Sequence, residues 1–208
     1  MPERRMNTMT FEIAATAARL VVEEGLEYGA AKRRAVKQLG LAGQATLPGN
    51  DAVEAEVIDY ITLFCAETQP AELRALRQLA LLWMQHMAAF RPYLSGAVWR
   101  GTATRLSDIY IQLFCDDCKS AEIALIDYRV KYVPRAIHGF NGETVDALSL
   151  HSFCEGLQEE VGVHLMVYDH DDLRGALKPD ASGQASRGDL AAVQRLLHDG
   201  ATHGDNAR

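Results

Sequence analysis

The stretch SGAVWRGTATRLSDIYIQL, from Ser95 to Leu113, is where the sequence changes period. It passes through Gly96-Ala97 and Gly101-Thr102, then resumes at Ser107-Asp108 as an alternating run. Side chains alternate along a strand, so Asp108, Tyr110 and Gln112 share one face while Ile109, Ile111 and Leu113 face a core. A glycine and a small residue at a strand end let the backbone approach a ligand, and its N–H groups suit a phosphate. Gly101-Thr102 adds a second permissive point and a hydroxyl. An acid at the mouth of the returning strand is suited to Mg²⁺, which takes one or two carboxylates and fills its octahedron with water and phosphate oxygens. The reading is strand, phosphate loop, strand, with Gly96 ending the first strand and Asp108 opening the second.

Upstream, the pattern is helical. Phe11, Ile13, Ala14, Ala17, Ala18, Val21 and Val22 recur at helical spacing until Gly25, and a second helix runs from about Gly29 to Leu39. After a loop over Ala42–Asn50, Asp51 and Glu54 form a capping-box pattern ahead of a third helix lined by Val53, Val57, Tyr60, Ile61 and Phe64. Pro70 opens a fourth, which Leu76, Leu79, Trp83 and Met87 carry toward Pro92. Downstream, strands are predicted over Tyr93–Val98, Ile109–Cys115, Tyr128–Val133, Thr144–Ser152 and Val163–Tyr168, with Asn141-Gly142 as a turn. Helices are predicted over Ser120–Ile126, His170–Leu177 and Asp189–His198. Lys178–Gly188 reads as a linker by composition.

These elements predict an α+β protein: a helical domain over residues 1–90, an α/β domain with a mixed sheet and flanking helices over 91–177, and a flexible tail with one short helix over 178–208. The chain of 208 residues, 48% hydrophobic, suffices for one good core or two small ones. Its formal charge of −7 argues against a large nucleic-acid footprint, which needs a basic face. No window approaches a membrane span and the start lacks a leader pattern. Four cysteines without a disulfide framework predict a cytoplasmic protein with reduced thiols. Cys115 and Cys118 have metal-like spacing, but no second pair completes a zinc site.

The Ser95–Leu113 stretch resembles the signature of the DNA polymerase β-like nucleotidyltransferase superfamily, particularly its minimal members. Its pattern is an apolar residue, Gly-Ser, a loop with a further glycine, then Ser-Asp-apolar-Asp-apolar, and Gly96, Gly101, Ser107, Asp108 and Ile109 match it without a gap. The resemblance implies Mg²⁺-dependent transfer of a nucleoside monophosphate from a triphosphate to a hydroxyl. Gly96 and Ala97 would approach the triphosphate, and Gly101, Thr102 and Ser107 would shape the loop. Asp108 would hold metal together with a third acid from a later strand in apolar-Asp-apolar context. Asp146 in Thr144–Leu148 is the candidate, with Glu143 as a substitute.

Two positions depart from that pattern. Ala97 replaces a serine. Tyr110 replaces the second metal-binding acid, and a phenol with an ordinary pKa near 10 is a poor Mg²⁺ ligand at neutral pH. Tyr110 is therefore expected to stack or hydrogen-bond against the nucleotide. The alternative is a catalytically degenerate fold that binds a nucleotide, or a protein partner through its helical domain. A third reading comes from residues 13–41, which resemble the opening of TetR-type DNA-binding regulators and carry the basic cluster Lys32, Arg33, Arg34 and Lys37.

Overall fold

The computed structural model describes residues 2–41, 45–140, 142–178 and 183–204, without the side chains of 2–7, 118, 138 and 200–204. It is an α+β protein with a mixed six-stranded sheet preceded by helices. Two compact units divide it. One comprises residues 1–70 and 102–106, the other residues 71–101 and 107–208. The expected boundary near residue 90 thus lies at Pro70.

In the helical unit, α1 (Pro2–Glu24), α2 (Tyr28–Gln38) and α3 (Asn50–Phe64) pack through small and β-branched residues. Ala14, Ala17, Ala18, Ala31 and Ala35 let the backbones approach, and Ile13, Leu20, Val53 and Val57 fill between them. Gly25 ends α1 with φ +67, and a Cβ there would lie 2.8 Å from the Leu106 carbonyl oxygen. Gly40, also at positive φ, ends α2 through N–H bonds from Gly40 to Lys37 O and from Leu41 to Val36 O. The capping box expected at Asp51 does not form: the cap lies two residues earlier, at Gly49, with no side-chain capping bond. The Asn50 side chain instead accepts from Lys32 Nζ at 2.8 Å. Part of the loop ahead of it, residues 42–44, lies outside the described residues.

The sheet unit begins at Ala71 within α4 (Gln69–His86), whose Leu76, Ala80 and Met84 are fully buried. Arg77 donates to the carbonyls of Val98 and Trp99, and Ala75 sits against Gly156, so this helix belongs with the sheet. Then follow β1 (Tyr93–Ser95), α5 (Gly96–Arg100), β2 (Ile109–Cys115), α6 (Cys118–Asp127), β3 (Val133–His138), β4 (Thr144–Cys154) and β5 (Glu159–Asp169). A 3-10 turn at His170–Asp172 and α7 (Leu173–Ala176) lead to β6 (Arg187–Asp189) and α8 (Leu190–Gly204). The spatial order is β3-β4-β5-β2-β1-β6, with β2 and β5 parallel and every other pair antiparallel. Helix α6 packs on β2 and β5, the two strands it helps connect.

Four expectations are corrected. The strand Tyr93–Val98 stops at Ser95, because Gly96 at φ +69 turns the chain into α5. The strand expected at Tyr128–Val133 begins only at Val133. Arg129 at φ +56 closes α6 by N–H bonds from Arg129 to Ile126 O and from Val130 to Leu125 O, which shifts the strand onward. The tail is not simply flexible, since Arg187–Asp189 form the sheet's sixth strand on β1, and Asp189 then caps α8 by accepting from the Ala192 N–H at 2.8 Å. The helix expected over His170–Leu177 is a 3-10 turn plus a four-residue helix.

Asn141 of the expected turn lies outside the described residues, as do parts of the tail (179–182 and 205–208). Cys65, Cys115 and Cys154 are free thiols, and the Cys118 side chain lies outside the description. Among the described residues no helix is long and apolar enough to cross a membrane.

Candidate functional site

Strand β2 lies between β1 and β5, and its two faces differ in chemistry. Ile109, Ile111 and Leu113 are fully buried on one. On the other, Tyr110 is in register with Ser95 on β1 and His164 on β5, and His164 with Ser149 on β4. Paired residues point the same way. Ser149, His164, Tyr110 and Ser95 therefore form a row across four strands, which Arg187 continues on β6.

Asp108 sits at the foot of this row. Its Oδ2 lies 3.1 Å from His164 Nε2, and His164 Nδ1 lies 2.8 Å from Ser149 Oγ. The Tyr110 ring stacks on the His164 ring at 4.8 Å and 26°. The Asp108 side chain is 47% exposed and that of His164 14%, so the chain of contacts runs from solvent at the aspartate to a buried serine. A neutral imidazole fits it by donating from Nε2 to the carboxylate and accepting at Nδ1 from the serine hydroxyl. An imidazolium fits by donating from both nitrogens. The geometry thus tolerates either charge on His164. The buried serine is bonded at Nδ1 and the carboxylate at Nε2, which leaves the carboxylate as the accessible group.

Glycine at 162 makes room for this aspartate. A Cβ there would stand 2.5 Å from Asp108 Oδ1. The hydrogen bond from His164 holds the Asp108 carboxyl below its usual range against the opposing effect of burial, with help from charge on His164 and His151 and the Gly162 backbone. A depressed carboxyl stabilises the fold fully above the unfolded value, near pH 4, and loses that contribution as pH falls through the folded value. Asp108→Asn should therefore flatten the acid limb of the stability profile. Melting followed by circular dichroism below about pH 5 should show less pH dependence in the variant than in the wild type. Because the carboxylate is half exposed, the difference will be small.

The other expected site residues do not assemble as a metal centre. Asp146 on β4 is opposite Val167, which is opposite Leu113, so it lies on the face away from Asp108. Asp108 is adjacent to the level of Gly162 and His151, five residues from Asp146 along β4 and about 17 Å by strand rise. Glu143 lies farther still, beyond the start of β4. Gly96 opens α5, with the Tyr110 ring 3.6 Å from where its Cβ would be, and Ala97 follows it in the helix. Gly101 caps α5 at φ +89. Thr102, buried with no partner for its Oγ1, falls in the segment grouped with the helical unit. Ser107 is partly buried immediately before Asp108. Among the described residues no group of three or more His, Cys, Asp or Glu side chains is disposed to hold a metal ion. One carboxylate beside an imidazole and a phenol is a poor fit to two Mg²⁺ ions, which need clustered oxygen anions.

Neither His164 nor Ser149 is among the residues that the sequence marks as candidates. One signal for His164 was present: Val163-His164-Leu165 has the apolar-X-apolar context sought for the third acid. The chain matches no protein-family model and no curated protein.

Proposed function

We propose that this protein is a divergent, nucleotidyltransferase-like protein that binds a nucleotide and has lost two-metal nucleotidyl transfer. The observation that carries this reading is the pair beside Asp108. The resemblance calls for a second acid two residues after Asp108 and a third on a later strand. The later strand beside β2 is β5, and its residue level with Tyr110 is His164. Both positions are therefore filled by rings that stack on each other, and the remaining acid is hydrogen-bonded to one of them. The order strand, glycine turn, short helix, strand over Tyr93–Cys115 is compatible with the resemblance.

A DNA-binding role is less well supported. Arg34 pairs with Glu24 at 2.6 Å, and Lys32 is held by Pro48 O and Asn50. Half of the basic cluster is thus engaged within the helical unit.

Titration calorimetry with nucleoside triphosphates, with and without Mg²⁺ or Mn²⁺, should register binding of at least one. A transfer assay with labelled nucleotide should remain at background under the same conditions. Robust metal-dependent transfer by the wild type would overturn the reading, and absence of heat with every triphosphate would shift it to a protein-binding role.

A further inference from the structure

Arg187 stands on β6 at the end of the row that begins at Ser149, and its guanidinium reaches along the same face as Tyr110 and Gln112. It donates from Nη1 to Gln112 Oε1, and from Nε and Nη2 to Ser186 Oγ at 3.3 and 3.2 Å. Its Cζ lies 4.4 Å from the centre of the Phe140 ring. Phe140 leans on Tyr168, which stacks on Phe114, so the cation rests at the edge of an aromatic layer.

Among the described residues every hydrogen-bond acceptor that Arg187 meets is neutral, and no carboxylate pairs with it. A guanidinium has five N–H donors, and three of them find acceptors among the described residues, which leaves two for a ligand. Arg187 is half-buried, and its burial pushes its pKa down against a smaller opposing effect of Tyr168. Such a placement costs free energy unless an anion completes it.

The placement is fixed by the fold. Trp99 Nε1 donates to Ala185 O at 2.7 Å, and Gly188 lies flush against the Trp99 ring. These anchors hold Arg187 on a sheet edge where a mobile tail would have left it in solvent.

Resting on the nucleotide-binding reading above, we propose that Arg187 is the phosphate-binding cation of this site, and that the protein binds the polyphosphate of a nucleotide without a divalent metal. A planar fork with unused donors matches a phosphate bidentately, and Arg keeps its charge at any physiological pH. It supplies positive charge on a face whose side chains do not suit Mg²⁺.

The test is calorimetry on the full chain with inorganic tripolyphosphate and with ATP, each in EDTA and in Mg²⁺. Tripolyphosphate and ATP should both bind in EDTA. Arg187→Gln should weaken both by about tenfold or more, as expected for a charge-assisted bidentate contact. Arg187→Lys, which keeps the charge and loses the fork, should weaken them less, and Asp108→Asn reports whether any binding runs through that carboxylate. Circular dichroism establishes that each variant is folded, and Arg187→Lys alone decides the matter if Arg187→Gln is not. Wild-type affinity in the folded Arg187 variants overturns the proposal, as does binding that requires Mg²⁺ and Asp108, and in both cases the nucleotide reading survives. No binding of either ligand in any condition overturns both.

Discussion

Replacing Tyr110 and His164 together by aspartate is expected to create a Mn²⁺ and Mg²⁺ site that the wild type lacks. The two positions are register partners on parallel strands, and Asp108 lies at the same end of the same face. The double variant would therefore gather three carboxylates where the wild type has one carboxylate and two stacked rings. Without metal these like charges repel, and Ser149 Oγ loses its partner, a loss of about 1–3 kcal/mol for a buried polar group. The metal-free variant should melt below the wild type and recover with added Mn²⁺. An ion at one hundred times its dissociation constant stabilises the fold by about 2.7 kcal/mol. Thermal melts in EDTA and across a Mn²⁺ titration provide the readout, with labelled-nucleotide transfer as a second. A third substitution, Asp108→Asn, should abolish most of the metal response. Indifference of the double variant to Mn²⁺ would mean that these positions do not face a common point.

Gly188→Ala should produce the largest loss of stability from a single methyl group. Gly188 is buried on β6, and any Cβ there would run into the six-membered ring of Trp99. Neither side can easily yield. The indole is held by its own N–H bond to Ala185, and β6 is held by its pairing with β1. Overpacking at a rigid contact typically costs about 1–3 kcal/mol, and here the upper end is expected, because the strand itself must lift to make room. Chemical denaturation should show the drop. Limited proteolysis should cut the variant within residues 183–190 under conditions that leave that segment of the wild type intact. Arg187 would leave the sheet with the strand, so phosphate binding should fall in parallel. An alanine variant as stable and as protease-resistant as the wild type would show that β6 is not anchored through this contact.

The elements legible in the sequence were those whose residues carry their own pattern. Ile109–Cys115 alternates cleanly and forms a strand with those bounds. The four long helices before it were visible from apolar spacing, the first two also from their glycine stops. What escaped depended on partners distant in the chain. Arg187-Gly188-Asp189 has no apolar alternation, and it becomes a strand because β1 offers an unpaired edge and Trp99 needs a neighbour without a side chain. Gly96 was read as the end of a strand, and its left-handed φ instead begins a helix. Asp146 was singled out for its apolar flanks alone, whereas its face follows from the register of β4 on β5. His164 became meaningful only once β5 lay parallel beside β2, a pairing of residues more than fifty positions apart that periodicity does not encode.

The grouping of residues 102–106 with the helical unit has a consequence for modularity. The chain passes between its two units three times, after Pro70, after Gly101 and after Leu106. A fragment ending at residue 70 would lack Leu106 beside Gly25 and the Ala103 carbonyl that accepts from Gln69 Nε2 at 2.9 Å. A fragment starting at residue 71 would carry a five-residue insert with buried Thr102, Ala103 and Thr104 and no core to enter. Neither unit can be exchanged for a foreign counterpart by a single splice, so the two are bound to be inherited together.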